Sequence, residues 1–329
     1  MSSTSTAKWY SSWPLPLISS LLLLIVMYGL VPYTFRYNVQ EPISIFHMLY
    51  LFWTGMPDWE HGLLVVPISL GLLYWKREKY FNTPVAGDSR AWPLFLVVFL
   101  FYYVGYKGDI KPLAFASIQI LIAALVIWFY GWPLFKSALF PWAFLAFAWP
   151  MPGLDGVIAF PLREFMSAVT NLFLNLIGIP ALRVGTAVVS APDFALGIPQ
   201  GQRFALDVAD PCSGIRSLFA LMMVTALYGY VTLPKTWQKI TLFLCAMPLA
   251  VFGNFIRMLM LTFGTIILGS DIAIGPADKP SAYHEAAGFV VFGAALAGML
   301  VIDWLLQLNW TRVLADLKQW AATPAEPRK

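Results

Sequence analysis

Charge is scarce in this chain: Lys, Arg, Asp and Glu make up 12% of its 329 residues, whereas 59% are hydrophobic. So few charges cannot cover a water-facing surface, which leaves no stretch that reads as a soluble domain. The basic excess of +4 is spread over short loops between apolar runs. It speaks to orientation in a bilayer and gives no reason for a nucleic-acid partner. Cysteine is nearly absent as well, with only Cys212 and Cys245. Cys245 lies inside the apolar run Leu242–Met247 and reads as a packed thiol rather than a disulfide partner. There is no nucleotide-binding glycine loop, low-complexity tract or internal repeat. The first apolar stretch is too long for a signal-peptide core and lacks a small-residue cleavage site, so it reads as a retained span.

What the chain has in abundance is apolar runs near the roughly 20 residues that cross a bilayer. The expected fold is an all-α polytopic membrane protein of about eight transmembrane helices with interfacial helices and a small extended cap. The spans are expected at Trp13–Tyr33, Gly62–Trp75, Trp92–Tyr106, Pro112–Tyr130, Phe135–Trp149, Ser213–Val231, Lys239–Leu268 and Ala286–Leu308. Ile43–Trp53 and Val157–Ile179 are apolar but punctuated by polar residues or proline, and read as interfacial or re-entrant helices. A cytoplasmic N-terminus puts twelve of the 21 Lys and Arg inside, among them Lys76, Arg77, Lys235 and Lys239, although the hairpin Tyr106–Lys111 then falls outside and counts against it. This gives one integral-membrane domain over 1–310 and a cytoplasmic tail over 311–329, with both termini inside. Between Arg183 and Asp210 the pattern changes to apolar–polar alternation broken by turn residues, which predicts strands of an extracytoplasmic cap over 183–211.

The cap leads into Asp210-Pro211-Cys212-Ser213-Gly214-Ile215-Arg216, at the mouth of a long apolar segment. A thiol at a helix N-terminus experiences partial positive charge, which favours the thiolate. From Cys212 the span to Val231 covers roughly 30 Å, and the eighteen steps from Lys239 to Arg257 climb back roughly 27 Å. His284 then opens the last span on the same side. Membrane thickness alone therefore brings Cys212, Arg257 and His284 to one depth. A thiolate can attack a peptide carbonyl to give a thioester. Histidine can take the thiol proton and pass it to the leaving amine. Arginine can hold the oxyanion. Each residue also has a plainer reading: a small apolar thiol, a snorkelling guanidinium near Asn254, and an interfacial helix cap.

Cys212-Ser213-Gly214-Ile215-Arg216-Ser217, Asn254-Phe255-Ile256-Arg257 and His284-Glu285-Ala286-Ala287-Gly288, in that order on successive spans, resemble the motifs of the exosortase/archaeosortase family. The resemblance runs from about Asp58 to Leu305 and takes in His61-Gly62, Pro152 and Pro161-Leu162-Arg163. It implies a thiol peptidase or transpeptidase in the cell membrane, with catalytic Cys212, Arg257 and His284. It implies as substrates exported proteins whose C-terminal sorting signal joins a short motif such as Pro-Glu-Pro, a transmembrane helix and a basic tail. A lipid-linked or polysaccharide acceptor would serve transfer, membrane lipid would surround the bundle, and no cofactor is implied. Ser213, Gly214, Arg216, Asn254 and His61 are candidate supporting or substrate-binding residues. Asp210-Pro211 departs from the small or acidic residues expected before the cysteine. Two other functions fit less of the sequence. A transporter with an Arg257/His284 path should carry a second, pseudo-symmetric polar set, which is not evident. A metal centre on Cys212, His284 and His61 would lack ligands and matches no compact motif.

Overall fold

The computed structural model describes residues 14–35, 42–151, 157, 160–207, 215–276, 281–309 and 315. The chain is an all-α polytopic membrane protein that divides into two compact units, 1–158 and 159–329. Four helical stretches are long and apolar enough to cross a bilayer: Ser89–Gly108, Lys111–Tyr130, Thr236–Leu268 and Ala282–Gln307. Four shorter apolar stretches accompany them: Pro14–Leu30, Gly62–Trp75, Leu139–Ala148 and Leu218–Thr232.

The first unit begins with α1 (Pro14–Leu24), which continues as a π-helical turn over Ile25–Leu30, and a short antiparallel pair, β1 (Thr34–Phe35) and β2 (Pro42–Ile43). Helix α2 (Ile45–Gly55) is capped by Ser44, whose hydroxyl accepts from the His47 N–H at 3.3 Å. It buries Ile45, Met48, Leu49 and Phe52, one stripe at helical spacing, so the segment read as interfacial is amphipathic. Then come α3 (Gly62–Trp75), α4 (Trp92–Gly108) and α5 (Lys111–Tyr130). Helix α5 is the centre of this unit, 61% buried where the stretch containing α4 is 17% buried.

The span expected over Phe135–Trp149 does not form as one helix. It breaks into α6 (Trp132–Ser137), α7 (Leu139–Phe144) and a 3₁₀ turn over Leu145–Ala148. The cause is Pro141, which has no N–H for the Ser137 carbonyl and whose ring would clash with it. Side chains pair with the backbone of the broken segment. Gln119 donates to the Trp142 carbonyl, Trp142 Nε1 returns a bond to the Gln119 carbonyl at 2.8 Å, and Trp149 Nε1 donates to Gln119 Oε1 at 2.7 Å. Trp53 Nε1 donates to the Ala148 carbonyl at 2.8 Å. Irregular backbone at membrane depth needs such protein partners.

The second unit starts with α8 (Phe160–Leu176), which buries Met166, Ser167, Thr170 and Leu174 along one face. A three-stranded antiparallel sheet follows, β3 (Ala181–Val184), β4 (Ala187–Ser190) and β5 (Ala205–Asp207), in that spatial order. Strands form in the expected stretch, and between β4 and β5 a four-residue turn, 194–197, is closed by the bridge between Asp193 and Ile198. Gly185, at φ 63°, takes the left-handed conformation that the two-residue β3–β4 turn requires.

Three long helices follow among the described residues: α9 (Ile215–Thr232), α10 (Thr236–Leu268) and α11 (Ala282–Gln307). The last begins four residues before the expected Ala286. Ser281 is its N-cap, accepting from the His284 N–H at 3.0 Å, and thereby draws His284 into the first helical turn. Near the opposite ends of these helices a polar cluster ties them together. Tyr228 OH donates to Asp303 Oδ2 at 3.0 Å, Gln307 Nε2 donates to both Asp303 oxygens at 2.9 Å, and Gln238 Nε2 donates to the Leu306 carbonyl at 2.7 Å.

Candidate active site

The antiparallel register of α9 on α10 is legible from their contacts. A Cβ on Gly229 would lie 3.5 Å from Leu242, and Leu218 and Leu221 pack with Ala246 and Ala250. Carried to the start of α9, this register sets Ile215 level with Arg257. Asn254 and Arg257, three residues apart, share one face of α10 and line a cavity of about 60 Å³ with Leu221 of α9 and Gly288 and Phe292 of α11. A cavity of that size has room for several water molecules or a polar substrate group.

Helices α10 and α11 approach closely through glycine. A Cβ on Gly253 would meet Val291 Cγ1 at 3.0 Å, and one on Gly264 would meet the Tyr283 ring at 2.6 Å. The Tyr283 hydroxyl donates to the Met260 carbonyl at 2.9 Å. The Arg257 guanidinium lies over Gly288, where a Cβ would sit 3.5 Å from Nη2. His284 is one helical turn before Gly288, is 6% exposed, and is within electrostatic reach of the Arg257 charge. The packing of α10 on α11 thus brings these two side chains near one another from separate helices.

Asn254 is 5% exposed, and its Nδ2 has no hydrogen-bond partner among the described residues. It also lines a second, smaller cavity between Leu162 and Met166 of α8 and Leu218 of α9. A buried amide donor with no acceptor is costly, so its place beside Arg257 on a cavity wall is informative.

Cys212, Ser213 and Gly214 lie outside the described residues, and for Arg216 only the backbone, in α9, is described. Leu206 of β5 packs against Met258, next to Arg257, and Ala287, next to Gly288. Ile215 opens α9 at the level of Arg257.

His61 belongs to the first unit, at the N-cap position of α3. It hydrogen-bonds to the backbone of Phe147 and Asp58 and lies beside Trp59, with ring centroids 6.0 Å apart. Burial pushes its pKa down, and the two backbone hydrogen bonds oppose that shift. Cys245 is a free, half-buried thiol on α10. Among the described residues, no group of three or more His, Cys, Asp or Glu could hold a metal ion.

Sequence reasoning passed over Ser281 and the glycines at 253 and 264. Ser281 had a readable signal, a capping residue directly before an apolar run. The two glycines look like any others in a membrane helix, because their importance lies in which neighbour they face.

No curated protein and no solved structure matches the chain significantly. The family model of the transmembrane exosortase matches residues 52–301, a stretch that contains every motif residue above. With that match over most of its length, the chain belongs to the transmembrane exosortase family, membrane enzymes that process sorting signals.

Proposed function

We propose that the chain is a cysteine peptidase or transpeptidase that cleaves the C-terminal sorting signal of exported proteins through a thioester on Cys212. The observation that supports this reading is the position of the described residues on either side of Cys212. Leu206, six residues before it, shares a buried cluster with Met258 and Ala287, the chain neighbours of Arg257 and Gly288, and Ile215, three residues after it, opens α9 at the level of Arg257. Cys212 itself lies outside the described residues, and these flanking positions support a reading in which its sulfur works beside Arg257 and His284.

His284 takes the Cys212 proton, and the sulfur adds to the scissile carbonyl carbon. The oxygen becomes an oxyanion facing Arg257 and the Asn254 amide. Collapse breaks the C–N bond, His284 returns the proton to the departing amine, and the acyl group remains on sulfur. Attack by water completes hydrolysis; attack by an amine or hydroxyl of a lipid-linked or polysaccharide acceptor completes transfer. Asn254 and Arg257 supply donors from one face of α10 on the wall of a small cavity, where preorganised dipoles can stabilise the oxyanion. Ser213, Gly214 and Arg216 would shape the substrate-binding edge of this site.

In this reading the site faces the extracytoplasmic side of the cell (inner) membrane and both termini are cytoplasmic. His61, hydrogen-bonded to backbone in the first unit, is better read as a structural residue there. The test is a tagged sorting-signal protein co-expressed with wild type, Cys212→Ala and Cys212→Ser. Wild type should release the signal, and mass spectrometry of the trapped acyl-enzyme should locate the substrate fragment on Cys212. Processing by the alanine variant, or activity abolished by metal chelation, would overturn covalent thiol catalysis.

A further inference from the structure

The loop between β4 and β5 displays its apolar residues outward. Asp193 and Ile198 exchange backbone hydrogen bonds at 2.9 and 3.0 Å, closing a loop of four residues. Within it the Asp193 carboxylate accepts from the Ala195 and Leu196 N–H groups at 3.2 Å each, and Arg203 Nη2 donates to its other oxygen at 2.8 Å. Gly197, at φ 63°, supplies the left-handed residue that ends the turn. Held in this way, the loop presents Phe194 at 91% exposure and Leu196 at 68%. A pinned loop that holds a phenylalanine wholly outside its own protein marks a surface made for an apolar surrounding.

The depth of that loop follows from α10. Its 33 residues span about 50 Å, well beyond a hydrocarbon core of about 30 Å. Lys235, Lys239 and the half-exposed Trp237 mark its first turn as one membrane boundary. About 30 Å further along, some twenty residues on, lies the stretch from Arg257 to Leu259. The sheet packs on this stretch, with Ala181, Val188 and Phe204 clustered against Leu259, Phe255 and Phe263. The sheet therefore lies at the second membrane boundary, where lipid headgroups meet acyl chains. Helix α8, which packs on β3 and β4, carries exposed Phe165, Leu172 and Leu176 at helical spacing, so apolar surface at this level is not confined to the loop.

We propose that the Asp193–Ile198 loop is a lipid-interface anchor, with Phe194 and Leu196 inserted among the acyl-chain ends of the bilayer beside the active-site sheet. The Asp193–Arg203 pair would fix the insertion angle, and the anchor would hold β5 at constant depth. The assay is nitroxide spin labelling of Phe194→Cys in a Cys212→Ser/Cys245→Ser background, reconstituted in phosphatidylcholine/phosphatidylglycerol vesicles. Power saturation compares access by oxygen, which partitions into lipid, with access by a water-soluble nickel chelate. The oxygen-to-nickel ratio should be severalfold higher at position 194 than for a label at Gln202→Cys, an exposed site on the same connection. A ratio at 194 equal to or below that at 202 would overturn the proposal. So would nickel access at 194 that only an added sorting-signal peptide removes, which would assign the loop to substrate instead. Both variants lack the nucleophile, so the outcome is independent of whether the proposed catalysis is correct.

Discussion

Enlarging Gly288 tests the site without touching any of its chemical groups. At this position a Cβ would lie 3.5 Å from Arg257 Nη2 and 3.7 Å from Cζ, ordinary van der Waals contact. Gly288→Ala should therefore leave the guanidinium in place and turnover within about twofold of wild type, because only a fraction of one donor interaction, worth about 2.7–4 kcal/mol in full, is at risk. Gly288→Leu adds three more carbons where the guanidinium lies and must push it off the cavity wall. Loss of one oxyanion donor costs about 10²–10³ in turnover, and overpacking adds about 1–3 kcal/mol of destabilisation. Gly298→Leu separates these two effects. It loads the same α10–α11 seam, since a Cβ there would meet Leu249 Cδ2 at 2.8 Å, but it lies ten residues along α11 from Gly288. The assay is single-turnover cleavage of a fluorescent sorting-signal substrate in nanodiscs, with thermal unfolding measured on the same samples. The expected pattern is loss of stability in both leucine variants and loss of the chemical step only at 288. Equal turnover in Gly288→Leu and Gly298→Leu would refute the placement of Arg257 as an oxyanion donor.

Asn254→Leu should slow cleavage about 10²-fold while leaving thermal stability equal or higher, since removing a buried unsatisfied donor relieves about 1–3 kcal/mol of desolvation; a parallel loss of stability and activity would mark the amide as structural. Ser281→Ala removes the cap of α11 and should cost about 1 kcal/mol, read as a lower unfolding temperature, together with slower cleavage as His284 loses its fixed turn. For His61 the sign follows from burial. Its folded pKa is below the unfolded value, so as pH falls through about 6.5 the unfolded chain takes the proton first and stability drops. Unfolding temperatures between pH 8 and 5 should show that decline, and His61→Gln should flatten it.

Much of this fold was written in the sequence because lipid imposes one rule on every span. The apolar runs, the strand alternation after Arg183 and the joint depth of Arg257 and His284 all follow from periodicity and rise per residue. Phe135–Trp149 did not follow, although Pro141 was visible: its effect depends on Gln119 and Trp53 arriving from elsewhere to satisfy the broken backbone. The start of α11 was misplaced because Ser281 and His284 are polar and hydropathy ends before them, whereas the hydrogen bond between them extends the helix. Lateral neighbours were out of reach altogether. That Arg257 lies over Gly288, and that Leu206 meets Met258, are facts of packing between distant segments, and no period in the chain encodes them.

The knot of Tyr228, Asp303, Gln307 and Gln238 has a mechanical meaning. It fastens α9, α10 and α11 to one another near one end; near the other the Tyr283 hydroxyl still ties α11 to the Met260 carbonyl of α10, while α9 faces both across a void. Rods clipped at the base can part only by fanning, and the fan is widest at the tip. Arg257 and His284 stand on the tied pair α10 and α11, so a modest tilt of α9 at the clip would open a lateral doorway beside them while the base stayed shut.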